Sequence, residues 1–209
     1  MRFCGLSQLL LSCCFLLSCT ACAHKVPHVP PEQLHAFIKQ YMGINPSPSI
    51  VYVDTKKQTL SLIENDKVKK TFVIATGKKG LGQQAKSFKT PLGLHRINEK
   101  IGEGVPKYGI FQKRQFVGDV WKKSPYTSHL KDYISTRILR LEGLQPGFNK
   151  GRDWMGRVVD TEQRAVYIHG TTMESKLGFP STKGCVHMSA EDVIKFYNEV
   201  PVGTLVWIR

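Results

Sequence analysis

Cys185 is the residue with the most chemistry to offer. It stands in Thr182-Lys183-Gly184-Cys185-Val186-His187-Met188, sixteen positions after the histidine of Ile168-His169-Gly170-Thr171. A thiol attacks as its thiolate, and an imidazole within reach is a natural base to form it. Gly184 lets the backbone turn tightly and a substrate approach, and the N–H groups around Cys185 could face a developing oxyanion. Lys183 adds a positive charge nearby, and the sequence that follows starts a helix, so the position is expected to favour the thiolate. His169 ends a short apolar run beside a glycine, a natural place from which to aim a side chain into a pocket. His187 is its rival as base; if the segment is extended, its side chain points the same way as that of Cys185. The other histidines compete less well. His24, His28 and His35 lie near the N-terminus, His95 falls in a strand pattern and His129 in a polar loop. His169, Cys185 and His187 supply only three plausible zinc ligands and no second cysteine pair, so a metal site is not expected.

Cysteine usage sharpens the point. Of six cysteines, Cys4, Cys13, Cys14, Cys19 and Cys22 fall within the first 23 residues, leaving Cys185 alone in the remainder. A single unpaired thiol is a liability in an oxidising compartment unless its reactivity is used. Residues 1–23 carry Arg2 as their only charge, with an apolar run from Leu9 to Leu17 too short to span a bilayer. They read as an export signal. Two processing chemistries fit. Leu16-Leu17-Ser18-Cys19 resembles a lipobox, which would lipidate Cys19 and anchor the chain to a membrane. Ala21-Cys22-Ala23 instead offers ordinary cleavage before His24.

The elements that must position these residues follow from pattern. In 209 residues, 41% are hydrophobic and 22% charged, ordinary globular usage that sets aside a disordered or polytopic membrane protein and suits one core-forming domain. The 30 Lys+Arg against 16 Asp+Glu give +14, so an extended partner should be anionic. Pro31 opens a short helix through Ile38, in a linker of residues 24–47, and Asn45-Pro46-Ser47-Pro48 marks a boundary. Beyond it, residues 49–54, 58–63 and 68–75 read as an antiparallel meander. Further strands are expected at 93–97, 134–141, 165–168 and 204–208, giving a mainly β sandwich or partly closed barrel. One helix follows the cysteine turn: Ser189 opens a capping pattern, Val193, Phe196, Tyr197 and Val200 keep helical spacing, and Pro201 and Gly203 stop it. Gly77-Lys78-Lys79-Gly80-Leu81-Gly82 matches no phosphate-binding pattern and reads as a flexible loop. Arg152-Asp153-Trp154-Met155-Gly156-Arg157, with Trp121 and Tyr126 upstream, reads either as a surface for glycan or peptide or as a solvated loop.

Taken together, the His169-Gly170 pair and the Thr182-Lys183-Gly184-Cys185 motif resemble the signature of the YkuD-type L,D-transpeptidase family. Lys89-Thr90-Pro91-Leu92-Gly93 resembles that family's Thr-Pro-x-Gly strand entry, and Val200-Pro201-Val202-Gly203-Thr204 its terminal turn, so the likeness covers residues 48–209. The resemblance implies a cysteine enzyme of the periplasm or cell envelope acting on peptidoglycan stem peptides, without metal or organic cofactor; the export signal sets nucleic acid aside as a partner. Cys185 would be the nucleophile and His169 the base, with the Gly170 carbonyl orienting the imidazole and Gly184 shaping the turn. Thr171, Thr182, Lys183 and His187 would contact substrate. A thioester would form with release of D-Ala and pass to an amine of a second stem or of a wall-attached protein. Related members instead use water as carboxypeptidases or act as amidases, and a non-catalytic peptidoglycan-binding lipoprotein is the alternative of another class. Two residues after the cysteine the family usually has Arg or Asn, and this chain has His187. That substitution predicts a titrating contact to an anionic stem group.

Overall fold

The computed structural model describes residues 26–121 and 132–209. The leader with Cys19, and Tyr126 and His129, lie outside the described residues.

Proline in its first turn starts a 3-10 turn at Pro31–Gln33, which continues as helix α1, Leu34–Met42. The helix runs one turn beyond the expected Ile38 and stops at Gly43, whose left-handed φ of 64° makes it the C-cap. Strands β1 (Ser49–Asp54), β2 (Thr59–Glu64) and β3 (Lys67–Val73) form the expected meander. The β2–β3 turn holds Asn65 and Asp66 at φ 50° and 61°, the two left-handed residues that match a hairpin's twist.

The other strands are β4 (Gly93–Ile101), β5 (Gly109–Gln112), β6 (Gln115–Val120), β7 (Ile134–Gly143), β8 (Tyr167–Thr171), β9 (Val186–Met188) and β10 (Leu205–Ile208). They join the meander in one mixed ten-stranded sheet, in the order β3-β2-β1-β10-β4-β7-β5-β6, with β8 on β7 and β9 on β8. The sheet branches at β7, whose first residues pair with both β5 and β8 and whose later residues pair with both β4 and β8. Two parallel pairings, β1 with β10 and β8 with β9, interrupt the antiparallel rule.

Alternation along β1 and β10 divides the apolar residues between two faces. Val51, Val53, Val206 and Ile208 join Leu60, Leu139, Ile168, Val186 and Met188 in the main core, closed by Val193, Phe196 and Tyr197 of helix α2, Ala190–Glu199. Ile50, Tyr52, Leu205 and Trp207 face the other way and are covered by Leu34 and Ile38 of α1. The short helix of the 24–47 linker thus packs on the sheet of the main domain, as expected of it. Strands β5, β6 and β9 are additions to the sequence reading. The β5–β6 turn uses Lys113 and Arg114 at φ 47° and 68° where Gly or Asn would signal a hairpin, and β9 is only three residues long.

Candidate active site

Strands β8 and β9 lie parallel, with Ile168 opposite Val186, His169 opposite His187 and Gly170 opposite Met188. Ile168, Val186 and Met188 point into the main core. Alternation then puts Tyr167, His169, Cys185 and His187 together on the opposite face. Cys185 packs there against the cluster of Phe111, Ile138 and Tyr167.

His169 is buried, and its Nδ1 lies 2.9 Å from the Gly170 carbonyl oxygen. A carbonyl only accepts, so Nδ1 carries the proton and Nε2 keeps its lone pair. This is the orientation expected of Gly170. No side chain larger than hydrogen fits there: a Cβ on Gly170 would stand 2.6 Å from the Ser135 carbonyl oxygen and 3.1 Å from Val193 Cγ1. The Ser135 contact comes from an irregularity in β7, where Thr136 takes a φ of 70°, unusual for a β-branched residue.

The cysteine turn is held from two sides. Thr182 Oγ1 donates to the Cys185 carbonyl at 2.7 Å and accepts from the Gly184 N–H at 3.0 Å. Thr90 Oγ1 accepts from the Gly77 N–H at 2.8 Å and donates to the Gly184 carbonyl at 3.0 Å. Gly184 has a φ of 117°, and a Cβ there would stand 2.9 Å from the Lys89 carbonyl oxygen. The Thr90-Pro91-Leu92-Gly93 motif is thereby explained at its first residue. The glycine-rich stretch read as flexible is corrected: Lys78 N–H donates to the Thr182 carbonyl at 2.9 Å, Thr90 N–H to the Gly80 carbonyl at 3.0 Å and Gly82 N–H to the Thr90 carbonyl at 2.9 Å. These bonds make it a clasp beside the cysteine turn.

The electrostatics reverse the sequence expectation of a thiolate. Burial pushes the Cys185 thiol up to about 11, and the negative charge of Asp132 adds to this; a backbone hydrogen bond from Tyr167 and the charge of Arg164 work in the opposite direction. Strand β9 also separates Cys185 from α2, and the first N–H of that helix, of Ala190, donates to Glu174 Oε1 at 2.8 Å. Helix dipoles fade within a turn, so α2 does little for the sulfur. Lys183 is exposed, and the cation that acts on Cys185 is Arg164. Its guanidinium donates to the Gly82 carbonyl at 3.1 Å and the Lys89 carbonyl at 2.6 Å. Burial lowers His169 as well, against the opposing hydrogen bond to Gly170 and the charge of Asp132. The resting pair is a neutral thiol and a neutral imidazole.

His187 also departs from expectation. Its ring lies tilted by 54° against that of His169 with the centroids 4.4 Å apart, and its backbone is locked to Ala75 by bonds of 2.8 and 3.0 Å. Burial, with repulsion from His169, pushes it down to about 2, so it does not titrate near neutrality and is no cationic contact for an anion. Its Nδ1 lies 3.4 Å from Asp132 Oδ2. Thr171 and Thr182 are buried, with their hydroxyls engaged inside the fold: Thr171 Oγ1 donates to Asp132 Oδ1 at 2.6 Å. They shape the site where substrate contact had been expected. Asp132 and Arg164 escaped sequence reading, because neither lies in a motif and only the tertiary fold brings them to Cys185. The 152–157 stretch is a loop tied by Asp153, which accepts from the N–H groups of Met155 and Arg157 and from Arg157 Nε, with Trp154 exposed at its tip.

This arrangement of a half-buried cysteine leading into one strand and a carbonyl-oriented histidine on the parallel strand beside it defines a thiol acyl-transfer class of site. The model of the YkuD family, the L,D-transpeptidase catalytic domain, matches residues 48–208, and the chain belongs to that family. YqjB of Bacillus subtilis (strain 168), a protein carrying an L,D-transpeptidase name, is 28% identical over 170 residues, covering 80% of this chain and 76% of its own. Among solved structures, an L,D-transpeptidase from Mycobacterium smegmatis is 15% identical with a TM-score of 0.45, covering 78% of this chain and 58% of its own. The C442S mutant of Enterococcus faecium L,D-transpeptidase is 16% identical with a TM-score of 0.46, covering 78% of this chain and 50% of its own. The chain thus spans between half and three-fifths of the length of these two solved structures.

Proposed function

We propose that the protein transfers acyl groups between peptidoglycan stem peptides, with Cys185 as nucleophile. Sγ attacks the carbonyl between the third-position diamino acid of a tetrapeptide stem and its D-Ala. His169 Nε2 takes the thiol proton as the C–S bond forms and gives it to the leaving D-Ala amine. The resulting thioester passes to an acceptor amine. The observation that carries this reading is the pinned His169 Nδ1, which leaves Nε2 as the basic atom on the face that Cys185 shares. Because thiol and imidazole are both neutral at rest, deprotonation accompanies attack on the bound substrate.

The apolar leader supports export to the cell envelope, with Cys19 as the residue to be lipidated if the lipobox is used. The charge of +14 suits an anionic wall polymer.

The test is incubation of the protein with disaccharide-tetrapeptide and mass spectrometry of the products beside a Cys185→Ala variant. Cross-linked dimers lacking one D-Ala, formed only with Cys185, are expected. Tripeptide alone would move the protein to the L,D-carboxypeptidases, and a Cys185-independent outcome would overturn the enzyme reading.

A further inference from the structure

Asp132 stands out among the acids of this basic chain. Most other carboxylates that form ion pairs meet lysine or arginine: Glu64 with Lys69, Glu142 with Arg96 and Lys150, Glu191 with Lys107 and Lys195, Asp153 with Arg157. Among the described residues the ring nitrogen facing Asp132 is that of His187, at 3.4 Å, and that ring is neutral, so no cation answers this carboxylate. The side chain retains 39% of its exposure while both oxygens are aimed by the site: Thr171 Oγ1 donates to Oδ1 at 2.6 Å and His187 Nδ1 faces Oδ2. Its charge acts on both His169 and Cys185, raising each. A carboxylate so placed hinders thiolate formation while it favours the imidazolium, so in the first half of the reaction its two effects oppose and little is gained from it.

The second half does, by proton count. This step rests on the transpeptidase reading above. An aliphatic amine reaches the site as an ammonium at neutral pH. To become an amide nitrogen it must shed two protons. His169, neutral again after protonating D-Ala, carries one from the attacking nitrogen to the departing Sγ. The other needs a second acceptor. Water needs none, because its attack delivers one proton through His169 to Sγ and leaves the other on the carboxylic acid product.

We propose that Asp132, aimed by Thr171 and His187, is the acceptor-amine site. Its carboxylate binds the incoming ammonium and takes its first proton, which leaves to solvent through the exposed side of Asp132. The freed lone pair attacks the thioester carbon; the second proton passes to His169 Nε2; the C–S bond breaks with its electron pair on sulfur, and His169 protonates Sγ. Thioester and ammonium become amide, thiol and one released proton. The titratable groups facing Asp132 are His187 on β9, at 3.4 Å, and His169 on β8; its charge also reaches Cys185, where that of Arg164 opposes it. His187 thus serves as a positioning residue.

The test uses the partition of one thioester between nucleophiles in the wild type and in Asp132→Asn, which keeps the shape and removes the charge. With a stem tripeptide as ammonium acceptor, the ratio of cross-linked to hydrolysed product should fall about tenfold or more. With hydroxylamine, which is uncharged at neutral pH, the ratio should stay within about twofold, the scatter of a shape-conserving change at a polar group. As a second readout, the wild-type acceptor KM should be flat between about pH 6 and 8, where an aliphatic amine stays protonated, and in the variant it should fall as pH rises and the neutral amine grows. Both ratios falling together, or neither, would overturn the assignment. No acyl adduct on Cys185 in the wild type would overturn the transpeptidase reading instead, a distinguishable failure.

Discussion

The two faces of β8 and β9 share one backbone and differ in everything else. On one side Ile168, Val186 and Met188 are fully buried among aliphatic and aromatic side chains. On the other, Tyr167, His169, Cys185 and His187 stand in a row. The core face supplies rigidity: three buried side chains at roughly 1.5–3 kcal/mol each hold the strands in register. The site face uses that register to bring two histidines and a thiol together. Burial acts on both faces, as stability on one and as suppressed ionisation on the other.

Loss of the nucleophile should have the largest effect on the site face and none on the core face. Cys185→Ala should abolish product formation and leave the fold intact, checked by product analysis and thermal melting. His169→Gln should lower kcat/KM by roughly 10²–10⁴, the usual contribution of a general base. Met188→Ala, on the other face, should behave oppositely. It should cost about 2–5 kcal/mol of stability by urea titration, with kcat per folded molecule largely kept.

A smaller effect joins the site face to stability. His169 and His187 lie below the ordinary histidine value in the folded state, and buried His95 lies at about 4. Each therefore binds its proton more readily when unfolded. Their contribution is complete above the unfolded value near 6.5 and is lost as pH falls toward the folded values. The unfolding free energy from urea titration should drop in acid by ~1.4 kcal/mol per pH unit for each histidine that remains neutral. A free energy constant between about pH 7 and 5 would contradict neutral burial, since only histidines that titrate alike folded and unfolded leave stability unchanged there.

Much of this was legible in the sequence because alternation and turn chemistry are local. Val51 and Val53 against Ile50 and Tyr52, and the helix after Ser189, whose Oγ accepts from the Asp192 N–H at 3.0 Å, need no tertiary knowledge. Cys185 and His169 stood out by residue type and by the turns around them. Asp132 and Arg164 did not, since one acts from before β7 and the other from before β8, and only the branched sheet brings them to the sulfur. The thiolate expectation failed for a related reason. Sequence shows a helix start near Cys185; burial against Phe111, Ile138 and Tyr167 is a property of the folded sheet, and it outweighs the helix.

The neutral resting pair is the centre of this account, and alkylation tests it directly. The rate of Cys185 modification by iodoacetamide, followed by mass spectrometry on the folded protein, reports its thiolate fraction at each pH. With the thiol at about 11, the rate should keep rising beyond about pH 9, past the ordinary thiol value of about 8.5. A plateau reached below about pH 7, the mark of a preformed thiolate–imidazolium pair, would contradict it.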